Sequence, residues 1–363
     1  MDLTTSNPTA AGLVHGAEVY RRLGDPAAAR YRPRARGLAA ARAAVAGHYA
    51  RRGRVVDPER VVLYASTSEA YAQLLAIVAD PGDAVLVPRP GYPLLDMLGD
   101  LAAVRRVPYP LAYDGQWHVD LAGLDAALAG EPQARALVVV APGNPTGSLL
   151  EPAEWVGLRA RARARGLPVL VDEVFADYPL QAGPGKARWL EADDVPCVVL
   201  SGLSKVAALP QLKLAWAVLH GPDDEVTELR ARMELCNDAF LGASTPVQLA
   251  LPALLQAAEE IQPRISARLQ ASLASVTARL RGSVVDPLPA DAGWTVLLRL
   301  PEVQGDLAWA LRLLDAGVHV QPGFLFDVPA PPRVAVSLLT PEAELAEGLS
   351  RLLRCVAAVL AEA

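Results

Sequence analysis

The chain has 363 residues, 34 basic and 40 acidic, for a formal net charge of −6 at pH 7, and 52% of it is hydrophobic. That suits one large and one small domain with a sizeable core, and a pI near 5.5 argues against a general nucleic-acid or anionic-membrane binder. Three dispersed cysteines (Cys197, Cys236, Cys355) and five dispersed histidines speak against a disulfide framework or a zinc site and for a reducing, cytoplasmic setting, while the start Met1-Asp2-Leu3-Thr4 lacks a signal-peptide pattern and no apolar run reaches the ~20 residues of a membrane span.

In chain order, residues 1–30 read as irregular, with a turn at Ser6-Asn7-Pro8-Thr9. Alanine-rich Gly37 to Tyr49 predicts a helix. Val61 to Tyr64 is a short apolar strand running into Ser66-Thr67-Ser68-Glu69, a helix-start signal, and a helix to about Val78. A turn at Pro81-Gly82-Asp83 precedes a strand at Ala84 to Val87. A helix follows at Leu94 to Leu101, then an extended run at Val104 to Val107 and a helix at Leu121 to Leu128. Ala136 to Val140 is an apolar strand ended by Pro142-Gly143-Asn144-Pro145, followed by a helix from Pro152 to Arg165. Pro168 to Val171 is a strand ending at Asp172-Glu173, Val198 to Leu200 one ending at Ser201-Gly202, and Leu212 to Leu219 another. Continuous apolar strands separated by helices predict an α/β large domain in three layers, a mostly parallel sheet covered by helices on both faces. Beyond Asp224 the pattern changes. Helices at Glu225 to Met233 and Pro246 to Leu280 precede strands at Trp294 to Leu300, Val318 to Gln321 and Arg333 to Leu338. A helix at Asp306 to Leu314 lies among these strands, and the last helix starts at Pro341. This predicts a smaller α+β domain. The expected boundaries are 1–30 for an N-terminal segment associated with the small domain, 31–240 for the large domain and 241–363 for the small one.

Only three of the 34 basic residues are lysine: Lys186, Lys205 and Lys213. Arginine stays protonated and cannot act as an amine nucleophile, whereas lysine can. In an open α/β sheet, ligands sit beyond the carboxyl ends of the strands, where four polar groups fall. Thr67 and Ser68 start a helix and form an anion site. Asn144 offers an amide, Asp172 a carboxylate after four apolar residues, and Ser201-Gly202-Leu203-Ser204-Lys205 an amine. Together they suit pyridoxal phosphate. Its aldehyde needs a lysine, its ring nitrogen a carboxylate, its phenolic oxygen a donor, and its phosphate amides, hydroxyls and a cation. Lys186, in a Gly-Pro-Gly-Lys loop, reads as a solvated charge.

With these motifs in order, the chain resembles the class I/II aminotransferases, fold-type-I pyridoxal-phosphate enzymes, from about Tyr31 to Leu349. The resemblance rests on Tyr31 with Gly37-Leu38, Thr67-Ser68-Glu69-Ala70, Pro90-Gly91-Tyr92-Pro93, Asn144-Pro145-Thr146-Gly147, Asp172-Glu173-Val174-Phe175, Ser201-Gly202-Leu203-Ser204-Lys205 and Pro322-Gly323. It implies that Lys205 forms the aldimine and moves the α-proton, that Asp172 pairs with the ring nitrogen, that Asn144 donates to the phenolic oxygen and that Tyr92 stacks on the ring. Thr67 and Ser68, with Ser201 or Ser204, would hold the phosphate, with Lys213 standing where the family usually carries an arginine. It further implies a homodimer in which Tyr31 reaches the partner's phosphate. The substrates would be an amino acid and a 2-oxo acid, with neither nucleic acid nor membrane as partner.

Besides Lys213, the chain departs from the family at two further places. Phe175 replaces a tyrosine that bonds the phenolic oxygen, with Tyr178 nearby as a possible substitute. The substrate-carboxylate arginine falls on Arg333 counting forward from Pro322-Gly323 and on Ala335 counting back from Ser337. Arg34 and Arg36 are further candidates. The same lysine and aspartate would also serve a lyase, a cyclase or another specialised biosynthetic enzyme. Asn7 and Thr9 are expected to cover the site, and Trp294 to stand near substrate or in the core.

Overall fold

The structure, a computed structural model, describes residues 1–180, 185–187 and 189–362. Eight strands form the large sheet: β1 (Val61–Tyr64), β2 (Ala84–Arg89), β3 (Arg105–Tyr113), β4 (Trp117–Val119), β5 (Ala134–Val140), β6 (Val169–Asp172), β7 (Cys197–Gly202) and β8 (Ala215–His220). Their order is β1-β8-β7-β6-β5-β2-β3-β4. The run from β7 through β6, β5 and β2 to β3 is parallel, and the pairings at β8 and β4 are antiparallel. The period-2 alternation of a strand sorts the apolar runs onto two faces. Val139, Val171 and Val199 pack on one side with Tyr49 and Trp155. Val138, Leu170 and Val198 pack on the other with Leu74 and Met233. Both faces are therefore buried under helices, as uninterrupted Val/Leu strands require.

The second sheet is antiparallel, in the order β11-β12-β10-β9, from β9 (Asp286–Pro287), β10 (Thr295–Arg299), β11 (Gln321–Pro322) and β12 (Arg333–Ser337). Val296, Leu298, Val334 and Val336 bury one face of it with Trp309, Leu313, Leu349 and Leu352 from the surrounding helices. The N-terminal segment joins this sheet. Leu3 N–H donates to the His319 carbonyl (3.0 Å) and Ser337 N–H to the Leu3 carbonyl (2.7 Å). The Leu3 side chain is fully buried against Gly348, where a Cβ would come within 2.8 Å of it. Among the described residues no helix is long and apolar enough to cross a membrane.

Several elements differ from expectation. The strand expected from Leu212 starts at Ala215, because Pro210–Leu212 form a 3-10 turn and Lys213 takes a left-handed conformation (φ 51°). The strand expected at Val318 to Gln321 shrinks to Gln321–Pro322, with Val318 N–H closing instead onto the Leu313 carbonyl at a helix end. The extended run after Val104 continues through Tyr113 and folds back as β4. Lys186 is not a solvated charge. Its Nζ donates to Asp291 Oδ2 (2.8 Å) and Gln116 Oε1 (3.2 Å), and its side chain is only 13% exposed. Asp291 in turn accepts Leu149 N–H, so this lysine ties β4's hairpin to the loop before β10.

Candidate functional site

β1, β2, β5, β6 and β7 all run the same way, so their carboxyl ends lie along one edge of the sheet. A cavity of about 300 Å³ opens there, at the low end of small-molecule sites. Thr67, Ser68, Tyr92, Asn144, Asp172, Ser204 and Lys205 all line it. A larger, shallower groove bordered by Ala134, Pro168 and Pro196 lies at the opposite edge, where the strands begin, away from the usual ligand position.

β6 places Asp172 between Val140 of β5 and Leu200 of β7. Its carboxyl is buried, and burial pushes its pKa up to about 6 despite Val174 N–H donating to Oδ1 (3.1 Å) and the nearby Lys205 charge. Adjacent Glu173 turns the other way into the core. There it accepts a bond from Tyr49 Oη (2.7 Å), itself an acceptor from Trp216 Nε1 (3.2 Å). Burial holds the Glu173 carboxyl well above its usual range, and this pairing leaves Asp172 as the residue of the pair that faces the cavity.

Lys205 sits in the short helix Leu203–Val206 that follows β7 directly. Gly202 allows this junction, because a Cβ there would approach Ala215 Cβ at 2.9 Å. Lys205 Nζ lies 4.7 Å from the Trp294 ring centre and 5.3 Å from that of Phe175. Burial lowers its pKa to about 8, against the pull of the Asp172 charge. A far larger share of the amine is then neutral at mildly alkaline pH than for an ordinary lysine. Phe175 therefore packs on the amine and offers no hydrogen bond. Tyr178 does not substitute for it: its hydroxyl donates to the Lys205 carbonyl (2.6 Å), which fixes the backbone that carries the amine.

The anion end is built by the helix Thr67–Val78. Ser66 caps it, accepting Glu69 N–H (3.0 Å), while Glu69 Oε2 accepts Ala65 N–H (2.6 Å). This reciprocal cap fixes the first turn and leaves the Thr67 and Ser68 amides without a carbonyl one turn back. Asn144 enters from the loop after β5. Gly147 (φ 67°) lets that loop turn, with Ala290 Cβ only 2.6 Å from where its own Cβ would be, and its carbonyl accepts Asp291 and Ala292 N–H.

Four expected residues lie outside the cavity. Ser201 is buried within β7, opposite Trp216 of β8. Lys213 is exposed on the left-handed turn before β8. Tyr31 is 75% exposed. Arg333 is buried, but its Nη1 donates to the Pro329 and Pro331 carbonyls, and its guanidinium lies over Tyr113 (5.5 Å) and Trp117 (5.6 Å). On β12, Arg333, Ala335 and Ser337 share a face, but the cavity reaches only Ser337, four residues or about 13 Å further along. The backward register thus puts fully buried Ala335 one step from the cavity. Arg36 is consumed by Glu59 (2.8 Å) and Glu234 (3.1 Å), and Arg34 is exposed. Asn7 bonds Thr9, and it is Thr4 and Ser6 of the same segment that line the cavity. Trp294 is 2% exposed and stands on the cavity wall. Sequence reasoning missed Thr4, Ser6, Tyr71, Thr295, Gln321 and Phe326 as lining residues.

The arrangement thus offers a half-buried amine of lowered pKa, a half-buried carboxylate, an amide, an aromatic wall and a helix-start anion site around one cavity. The sequence model of the aminotransferase class I and II family matches residues 1–352. Tyrosine aminotransferase of Mus musculus is 26% identical over 325 residues, 87% of this chain and 71% of that one. S-alkyl-thiohydroximate lyase SUR1 of Arabidopsis thaliana is 29% identical over 207 residues, 56% of this chain and 44% of that one. In structure, an alanine aminotransferase from Pyrococcus furiosus superposes with a TM-score of 0.89 over 99% of this chain and 92% of its own, at 21% identity.

Proposed function

This chain belongs to the aminotransferase class I and II family, and we propose that Lys205 and Asp172 carry its chemistry. It is a fold-type-I, pyridoxal-phosphate-dependent aminotransferase that moves an amino group between an amino acid and a 2-oxo acid. When bound, the cofactor supplies an aldehyde that takes the amino group and a protonated ring that draws off the electron pair at the substrate α-carbon. The cavity's donor set fits that group: amine, carboxylate, amide and helix-start amides all face one space. In our reading Lys205 Nζ would hold the aldehyde carbon until the substrate's amino group displaces it, and the freed amine would then carry the proton to and from the α-carbon. The Asp172 carboxylate would keep the ring nitrogen protonated, and Asn144 would donate to the phenolic oxygen. Tyr92, 46% exposed at the mouth, covers the ring face. The amides of Thr67 and Ser68, with Ser204, hold the phosphate. Lys213 and Ser201 stand outside this set in the single chain.

We read the working form as a homodimer. Tyr31 is exposed, and so are the large apolar side chains of Leu235, Phe240 and Leu241, at 77%, 60% and 72%. Asn237, on the helix Asp223–Phe240, donates to the Ala35 carbonyl. Exposed apolar side chains of this size suit contact with a second copy, which the mass in solution checks. The domain division at residues 31–240 and 241–363 belongs to this proposal; each sheet has its own core, and Val247, Leu251 and Leu254 of the long helix Thr245–Leu280 pack with the larger one.

The observation that carries the reading is Lys205 and Asp172 lining one buried space. The walls add Trp294, Phe175, Phe326 and Tyr92, and Lys205 is the one cation among the described lining residues. Aromatic and apolar amino acids therefore suit it better than dicarboxylic ones. The test is a visible-absorption titration of the cofactor-loaded protein with a panel of amino acids, trapping any 2-oxo acid. We expect stoichiometric 2-oxo acid, first from aromatic or apolar donors. A spectral change without 2-oxo acid would replace transamination with the lyase or cyclase reading.

A further inference from the structure

Buried hydroxyls are nearly always hydrogen-bonded, and an orphan costs stability that a phenylalanine of the same shape would avoid. Tyr109 obeys this rule by donating to the Val138 carbonyl (2.8 Å), as Tyr49 and Tyr178 do with their own partners. Tyr71 does not. It is 1% exposed, and its hydroxyl has no hydrogen-bond partner in place. Tyr64 shares that state but lies away from the cavity, whereas Tyr71 is on its wall. It stands four residues after Thr67 and three after Ser68, so it shares their face of the helix, one turn deeper. Asp172 is the anion this phenol approaches: burial raises the phenol's pKa first and the Asp172 charge raises it further, while the phenol offsets a part of the burial that pushes the carboxyl up.

We propose that Tyr71 is a positioning residue: its phenol donates to the Asp172 carboxylate and holds it ionised and aimed at the cofactor's ring nitrogen. This rests on the reading of Asp172 given above. Burial alone favours the neutral carboxyl, which cannot keep a ring nitrogen protonated. A phenol donor offsets that penalty without adding a charge. The Val174 N–H holds Oδ1 from the backbone side, so the phenol completes a two-point grip that fixes the carboxylate's plane. The hydroxyl is thus explained as a group kept for the loaded site.

The test is a double-mutant cycle read by binding of pyridoxamine phosphate, which has the cofactor's ring and phosphate but no aldehyde, so Lys205 makes no covalent bond to it. Tyr71→Phe should weaken binding about tenfold and leave the melting temperature unchanged or slightly higher. Asp172→Asn should weaken it more, and adding Tyr71→Phe to Asp172→Asn should weaken it less than twofold further. A tenfold loss from Tyr71→Phe in both backgrounds would make the tyrosine a structural residue, and no loss in either would leave it no role; both overturn the inference. If Asp172→Asn itself binds like the parent, the reading of Asp172 fails instead, and the two failures are distinct.

Discussion

Lys205→Ala is expected to lower turnover by about 10³–10⁴-fold, since it removes both the covalent partner and the proton carrier. The visible band of the loaded protein should vanish with it, while the fold survives. The side chain's charge is a cost in the folded state, because burial lowers its pKa to about 8. Lys205→Arg is expected to be as inactive, because a guanidinium keeps its proton at any working pH. That pair of results separates the need for an amine from the need for a cation. The chain otherwise favours arginine, with 31 of its 34 basic residues arginine and three lysine, so the contrast bears on why a lysine persists here. Steady-state turnover with the best donor, together with the absorption spectrum, checks both variants. Turnover within tenfold of the parent in either would remove Lys205 from the reaction.

Asp172→Asn should keep the shape of the site and delete its charge. The expected loss is about 10²–10³-fold in turnover, the usual cost of removing one preorganised electrostatic contact to the reacting system. Cofactor binding should weaken by roughly ten- to a hundredfold, the worth of a hydrogen bond to a charged group. The sign follows from the site. An asparagine amide cannot keep a ring nitrogen protonated, so the ring loses its capacity to draw off electrons. Stability of the cofactor-free protein should not fall, because burial raises the Asp172 carboxyl to about 6 and a neutral amide escapes that desolvation cost. Turnover and equilibrium dialysis of cofactor at pH 7.5 report the two effects. Parent-like turnover would disprove the electrostatic role.

How much of this was legible follows from where each residue sits. Asp172 ends an apolar strand and Asn144 and Lys205 follow one within four residues, and a polar group after such a run has few reasons to be there. The helix start at Thr67 was legible because Ser66 and Glu69 form a local cap, read over four residues. The three-layer packing was legible in the Val/Leu runs alone. The remainder depended on distance in space. Arg333 and Ser337 share a face by alternation, but how far along β12 the cavity extends is set by the N-terminal segment laid across Ser337. Tyr71 sits in a helix that reads as apolar, and only the approach of Asp172 from another strand gives its hydroxyl a meaning. Lys186 read as a loop charge because its partner Asp291 is 105 residues away. Tyr31 and Lys213 are exposed in the single chain, away from the cavity.

The most direct measurement of the central claim is chemical. The cofactor-loaded protein is reduced with borohydride, digested, and its phosphopyridoxyl-bearing peptide sequenced by mass spectrometry. With three lysines in the chain the answer is unambiguous. The account predicts stoichiometric label on Lys205 and none on Lys186 or Lys213. Label on either of the other two, or a loaded protein that carries none, would contradict it.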